Sequence, residues 1–203
     1  MDLSHLLSRS PGFGVVGAPQ LHYYASSATL ARADQTFRRD LAGYGLLDAE
    51  AEEELNLKVH HVNPYEPYTV GQYTVIALPA NHAPGFGAHL YAVEMDGCSI
   101  FYGTDTAEFL DETWRGFHDH KLKFDVVVLD HTYGPEEPGS DHLSARQVAE
   151  HTKRMRVEGI LKENGRVFAT HIAHEGNPIH TELAAFAKRN GYEIAYDGLV
   201  VEF

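Results

Sequence analysis

The run Phe124-Asp125-Val126-Val127-Val128-Leu129 limits what this 203-residue chain can fold into more than any other stretch. It is apolar almost throughout and does not alternate, as a strand buried on both faces requires. The segments around it supply the layers. From Leu55 onward the chain reads as strands: Leu55–Val62, a hairpin of Tyr68–Val70 and Tyr73–Leu78 about Gly71-Gln72, and a second hairpin of His89–Glu94 and Cys98–Tyr102. The second turns on Asp96-Gly97, a dipeptide suited to a two-residue hairpin loop. A helix over Thr106–Phe117 leads into the buried strand. Beyond it, helix and strand alternate: a helix from about Leu143 to Lys162 ended by Asn164-Gly165, with Val148, Thr152, Met155 and Ile160 inward, a strand over Arg166–Ala169, a helix over Thr181–Arg189, then strands over Tyr192–Ala195 and Leu199–Phe203. The first fifty residues predict a short helix from Asp2 to Arg9 stopped by Ser10-Pro11-Gly12, a strand over Gln20–Tyr24, and a helix from Ser26-Ser27 to about Leu41. That helix places Leu30, Ala33, Phe37 and Leu41 on one face. The acidic stretch Leu46–Leu55 reads as exposed. Strands first, then alternating strand and helix, define an α/β fold of packed layers.

Composition bounds the function. With 43% hydrophobic residues the chain can bury a sizeable core, and its length suits a single domain over residues 1–203. Its net charge of -13, with 16 Lys and Arg and no basic run, argues against nucleic acid or an anionic membrane as partner. A small phosphorylated substrate held by metal and histidine remains open. One cysteine, Cys98, leaves no internal disulfide, which points to a reducing, cytoplasmic setting. No apolar run approaches the ~18 residues of a membrane span, and Met1–His5 lacks the pattern of a signal peptide. The 14 histidines are the outlying count and direct attention to metal chemistry.

Several histidines and carboxylates fall just past apolar strands, which is where an α/β scaffold holds a divalent ion. His82 follows V-I-A-L-P-A-N, Asp105 follows F-Y-G-T, and His171 follows V-F-A-T. These three are the candidate metal ligands, with an ordinary surface histidine, a helix N-cap and a polar turn as their respective alternatives. His142, in Ser140-Asp141-His142 before a helix, could donate a proton to a leaving group or bond a phosphate oxygen; a capping cluster is the competing reading. Asp130 and His131 end the buried strand, where either could orient ligand histidines. His118-Asp119-His120 is read as an exposed loop. His60 and His61 are adjacent in a strand and face opposite ways. Cys98 is read as a small buried residue.

The pieces A-L-P-A-N-H-A-P, F-Y-G-T-D, D-V-V-V-L-D-H-T, S-D-H-L-S and A-T-H-I-A-H-E resemble, in order over about residues 65–203, the metallo-β-lactamase superfamily of hydrolases. The PhnP-like phosphodiesterase branch is the nearest, with RNase Z more distant. The resemblance implies an αββα sandwich and two divalent metals, Zn or Mn. It implies that His82 binds one metal, Asp105 bridges both and His171 binds the second. His142 would then contact phosphate or act as general acid, and His174 would be the second histidine of T-H-x-x-H. The implied reaction is hydrolysis of a phosphodiester or cyclic phosphate by hydroxide on the metal.

One departure matters. The family's H-x-H-x-D-H signature is absent from the sequence, and D-L-S-H-L-L at the start resembles the segment that follows it. The expectation is therefore an N-terminally truncated sandwich that binds one metal or none, with an exposed sheet edge through which it could form a homo-oligomer. The alternative to a hydrolase is a non-catalytic remnant or subunit completed by another segment. A single-metal enzyme recruiting His5 or His22 is a third reading. A tRNA-processing role is disfavoured by the charge.

Overall fold

A computed structural model describes residues 3–9, 12, 17, 19–83, 85–174 and 176–202. The break expected at Ser10-Pro11 and the last residue of the final expected strand lie outside them. The chain, read from sequence as one domain, divides into two compact units, Met1–Asn63 with Gly85–Gly87, and Pro64–Pro84 with Ala88–Phe203.

The first unit holds α1 (Ser4–Leu7), β1 (Leu21–Ala25), α2 (Ser27–Thr36) continued by a π turn (Phe37–Leu41), α3 (Ala49–Leu55) and β2 (Leu57–His61). Ser26 caps α2 by accepting the Thr29 N–H at 3.1 Å. Leu30, Ala33 and Phe37 are fully buried, as their helical spacing predicts. The acidic stretch is an amphipathic helix that buries Ala51 and Leu55 and exposes its glutamates. Leu55 therefore ends a helix and does not begin a strand; left-handed Asn56 (φ 47°) makes the turn into β2. The two strands pair in parallel, Leu21 opposite Leu57 through Ala25 opposite His61. His60 and His61 do face apart: His60 Nε2 lies 2.9 Å from His22 Nδ1, and His61 Nδ1 lies 3.2 Å from Ser27 Oγ.

The second unit is built on a seven-stranded sheet in the order β3-β4-β5-β6-β7-β8-β9. Its strands are β3 (Pro67–Val70), β4 (Tyr73–Pro79), β5 (His89–Met95), β6 (Cys98–Gly103), β7 (Phe124–Asp130), β8 (Leu161–Thr170) and β9 (Glu193–Ile194), with helices α4 (Asp111–Asp119), α5 (Ala145–Val157) and α6 (His180–Arg189). The first four strands are antiparallel and the last four parallel, with β6 common to both sets. The apolar run forms β7, flanked by β6 and β8, with Phe124, Val126, Val127 and Leu129 in the core. Asp96 and Gly97 both have positive φ, 53° and 83°, so the predicted hairpin turn forms. Cys98, just past this turn, is exposed and not buried as expected.

Three boundaries differ from the sequence reading, each for a local reason. Residues 106–110 are not helical. Their backbone is tied elsewhere: Ala107 N–H donates to Asn81 O (2.9 Å), Asn81 Nδ2 donates to Glu108 O (2.8 Å), and Phe109 N–H donates to His151 Nε2 (3.1 Å). Helix α5 starts at a capping box made by Ser144 and Gln147 and stops at Val157, with Gly159 left-handed at φ 69°. Asn164-Gly165 consequently lies inside β8, which is much longer than expected. A Cβ on Gly165 would come within 2.8 Å of Phe124 O, beside a register shift between β7 and β8. Among the described residues, those from 199 on form no strand. No described helix is long and apolar enough to cross a membrane.

His151 couples α5 to the 106–110 segment. It is 6% exposed, and its ring centroid lies 4.5 Å from that of Phe109 and 5.3 Å from that of Trp114. Burial pushes its pKa down to about 4. The unfolded chain takes up a proton here below about pH 6.5 while the native state stays neutral, so stability is lost as pH falls from 6.5 toward 4. The loss amounts to roughly 3 kcal/mol. Urea denaturation across that range is expected to show this slope, and His151→Gln should flatten it; an unchanged slope in the variant contradicts the assignment.

Candidate metal centre

Strands β4, β6, β7 and β8 all run the same way, since β5 is antiparallel to both β4 and β6. Their C-terminal ends therefore share one edge of the sheet. His82 follows β4, Asp105 follows β6, Asp130 ends β7 and His171 follows β8. His142 reaches the same place from the residues preceding α5.

Asp130 binds this edge together. It is fully buried. Its Oδ2 accepts the N–H groups of Asp105 (3.0 Å) and Thr106 (3.4 Å) and the Nδ1–H of His142 (2.8 Å). Its Oδ1 accepts the N–H and the hydroxyl of Thr132, at 3.0 and 2.9 Å. A carboxylate that receives this many donors can stay buried, because each lone pair lost to water is replaced. The same bonds hold Asp105 in the left-handed conformation, φ 60°. His171 is also left-handed, φ 62°. Such backbone costs roughly 1–3 kcal/mol per non-glycine residue and persists only where the surroundings enforce it. Asp105 is thus no helix N-cap: α4 begins six residues later, after Leu110.

Around the exposed Asp105 carboxylate stand three imidazoles. Asp105 Oδ1 lies 3.9 Å from His82 Nε2, 3.8 Å from His142 Nδ1 and 3.6 Å from His171 Nε2. One ligand atom each from Asp105, Asp130, His142 and His171 falls within 4.8 Å of the others. The hydrogen bonds bear on the tautomers. His82 Nδ1 faces the Asp141 carbonyl at 3.3 Å, and His142 Nδ1 faces the Asp130 carboxylate; both partners only accept, so both nitrogens carry the proton. His171 Nδ1 meets Thr132 Oγ1 at 2.8 Å, and that hydroxyl already donates to Asp130. Where that hydroxyl gives its one proton to Asp130, His171 Nδ1 is the donor to Thr132. The Nε2 atoms of His82 and His171 lie 3.9 and 3.6 Å from Asp105 Oδ1, and the Nδ1–H tautomer leaves both bare. Neutral imidazole Nε2 and carboxylate oxygen are the donors that Zn or Mn accepts, and hydrogen bonding at Nδ1 is the support such ligands carry. The residues fit a divalent ion.

The loops that carry these side chains are stapled to each other. Asn177 Nδ2 donates to the carbonyls of Thr132 and Ala173, both at 2.9 Å. Gly134 packs so closely on Gly176 that an added Cβ would stand 1.6 Å from the Gly176 oxygen. Near His142, Tyr133 Oη donates to Asp141 Oδ1 at 2.6 Å. That bond, with help from Ser140, holds the Asp141 carboxyl down to about 2.

The structure brings together His82, Asp105, Asp130, His142 and His171. It does not bring in the other two candidates. His131 is fully buried with Nε2 3.0 Å from Tyr192 Oη, and His174 is exposed outside the group. His118 pairs with Glu158 at 2.8 Å and His120 stacks on Tyr65, so neither takes part. His5 and His22 belong to the other unit. Sequence reading missed Thr132, which supports both Asp130 and His171. Its signal was present: an aspartate at a strand end with a threonine two residues on forms a local side-chain-to-backbone turn.

A sequence profile of the beta-lactamase superfamily domain matches residues 16–172, more than half of the chain. The chain belongs to that superfamily, and its fold is that of the metallo-β-lactamase proteins. Among solved structures it resembles the metallo-beta-lactamase fold protein YhfI from Bacillus subtilis, at 17% identity and TM-score 0.65, over 94% of this chain and 69% of that one. A diphosphatase from the PhnP family matches at 20% identity and TM-score 0.64, over 96% and 62% of the two chains. Zn2+-bound PqqB from Methylobacterium extorquens matches at 14% identity and TM-score 0.66, over 98% and 68%. The chain thus spans between 62% and 69% of the length of these three. No curated protein matches the sequence.

Two substitutions separate the scaffold from the ligands. Asp130→Ala leaves the Asp105, Thr106 and Thr132 N–H groups without their acceptor and should cost at least about 3 kcal/mol. Asp105→Gly removes the exposed carboxylate but relieves left-handed strain, and should leave stability unchanged or raise it by up to about 1 kcal/mol. Denaturant titration of both variants checks this; equal destabilisation would contradict the division of roles.

Proposed function

We propose that this chain is a metal-dependent hydrolase acting on a small phosphodiester or cyclic phosphate. His82, Asp105 and His171 are the metal ligands, and His142 is the catalytic acid or phosphate contact. The observation that carries the reading is the geometry: each imidazole meets a hydrogen-bond partner through Nδ1, and the Nε2 atoms of His82 and His171 lie 3.9 and 3.6 Å from Asp105 Oδ1. These residues would hold Zn or Mn, which would supply Lewis-acid activation of water and charge neutralisation at phosphate. The rest falls to the protein. Asp130 orients the His142 ring from behind through Nδ1, which leaves Nε2 to meet a phosphate or departing oxygen. Thr132 and the Asp141 carbonyl keep the two ligand rings from rotating.

The number of donors bears on how many ions bind. Asp130 is already saturated by its hydrogen bonds, which leaves His82, Asp105 and His171 among the described residues. Three ligands suit one catalytic ion with an open position. This favours a single ion, and it also supports the second reading, a non-catalytic member that requires ligands from another segment.

Metal analysis together with hydrolysis of bis-p-nitrophenyl phosphate in added Mn tests the proposal. One ion per chain with measurable turnover is expected. His171→Ala should abolish metal binding and His118→Ala should not. His142→Ala should keep the metal and lose about 10²–10⁴-fold in kcat. Metal binding without turnover selects the non-catalytic reading, and absence of both rejects the ligand set.

A further inference from the structure

A groove of about 630 Å3 runs between α5 and α6, and Lys153, Arg156 and Arg189 line it together with Phe186 and Val157. Lys188 lies outside it and lines a separate groove with Arg166 and Glu193. In a chain of net charge -13 with 16 basic residues, four of them, Arg146, Lys153, Arg156 and Arg189, line the α5–α6 groove against one acid, Glu150. Elsewhere many cations are neutralised at short range: Arg38 by Asp48, Arg154 by Glu158, Lys162 by Asp125 and Arg166 by Glu193. Among the described residues, Lys153, Arg156, Lys188 and Arg189 meet no carboxylate within 4.0 Å. Arg156, Lys188 and Arg189 sit at helix C-termini, where a cation complements the helix dipole. Lys153 lies mid-helix and has no such reason to be there.

The groove also has an apolar side. Val157 is 79% exposed at its rim and Phe186 is half-buried within it. An aromatic ring beside several guanidinium and ammonium groups suits a ligand with a flat apolar body and clustered negative charge. The volume lies within the range of small-molecule sites, about 300–1,000 Å3. None of the lining residues belongs to the metal cluster.

We propose that the α5–α6 groove binds a nucleoside di- or triphosphate, its base against Phe186 and its phosphates on Lys153, Arg156 and Arg189. The site is separate from the metal centre and does not depend on the proposed hydrolysis. Binding driven by these cations is local, since the rest of the acidic surface repels anions, and it weakens as salt screens it.

Fluorescence titration of the full chain with N-methylanthraniloyl-ADP tests this. Saturable binding is expected, displaced by ADP and weakened by added salt. Lys153→Glu and Arg189→Glu should each lower affinity about tenfold or more, and Lys188→Gln, outside the groove, should bind as the parent does, with circular dichroism showing all three folded. Asp105→Asn and His171→Ala should bind as the parent does. Absence of saturable binding overturns the proposal. So does binding that survives the groove variants but is lost in Asp105→Asn, which would place the nucleotide at the metal cluster. Salt-sensitive self-association lost in Lys153→Glu, without nucleotide binding, also overturns it and marks the groove as a surface for an acidic protein segment.

Discussion

The buried carboxylate of Asp130 is the interaction on which the site depends. A charge with no exposed surface is tolerated only when donors replace water on every side, and here the donors come from three separate stretches of chain: the Asp105–Thr106 backbone, Thr132, and the His142 ring. Satisfying Asp130 therefore forces the ends of β6 and β7 and the approach to α5 into register. The position of each candidate functional group is a by-product of that satisfaction. Asp105 is bent outward into its left-handed turn, His142 is aimed by its Nδ1, and Thr132 is placed to fix His171.

Below this sits the sheet. Parallel neighbours β6, β7 and β8 deliver their C-terminal ends to one edge, and β4 arrives there through an intervening antiparallel strand. The core on either side of β7 makes the edge rigid, with Phe101, Phe117, Phe124 and Leu129 wholly buried. Local backbone preference and tertiary demand disagree at Asp105 and His171, where a left-handed conformation is imposed on residues that do not favour it. Such conflicts are tolerated at functional positions when the surroundings offset them, and here the offset is identifiable in Asp130, Thr132 and the Asn177 staple.

How much of this was legible in the sequence follows from which interactions are local. The buried strand, the Asp96-Gly97 hairpin and the Ser26-capped helix depend on neighbours in sequence, and all form. So does the strand-end placement of His82, Asp105 and His171, because it needs only strand boundaries. The extent of the helix before β7 was not legible, since residues 106–110 spend their hydrogen bonds on Asn81 and His151, partners remote in sequence. Gly165 read as a helix stop because the close approach of Phe124 to it appears only in three dimensions. His131 and Asp130 are adjacent and looked equivalent; the pleat sends one into the core against Tyr192 and the other to the site. The absent H-x-H-x-D-H was plain from the sequence, and the structure adds that Asp130 already accepts hydrogen bonds at both oxygens.

Metal binding by His82 and His171 requires their Nε2 atoms to be bare before any metal arrives. Long-range 1H–15N spectra of the imidazoles in the metal-free protein test that directly. The predicted result is a proton on Nδ1 of His82, His142 and His171, with Zn2+ then shifting Nε2 of His82 and His171 while His142 keeps its Nδ1–H bond to Asp130. A proton on Nε2 of His82 or His171 in the metal-free protein, or Zn2+ shifting neither ring, would contradict it.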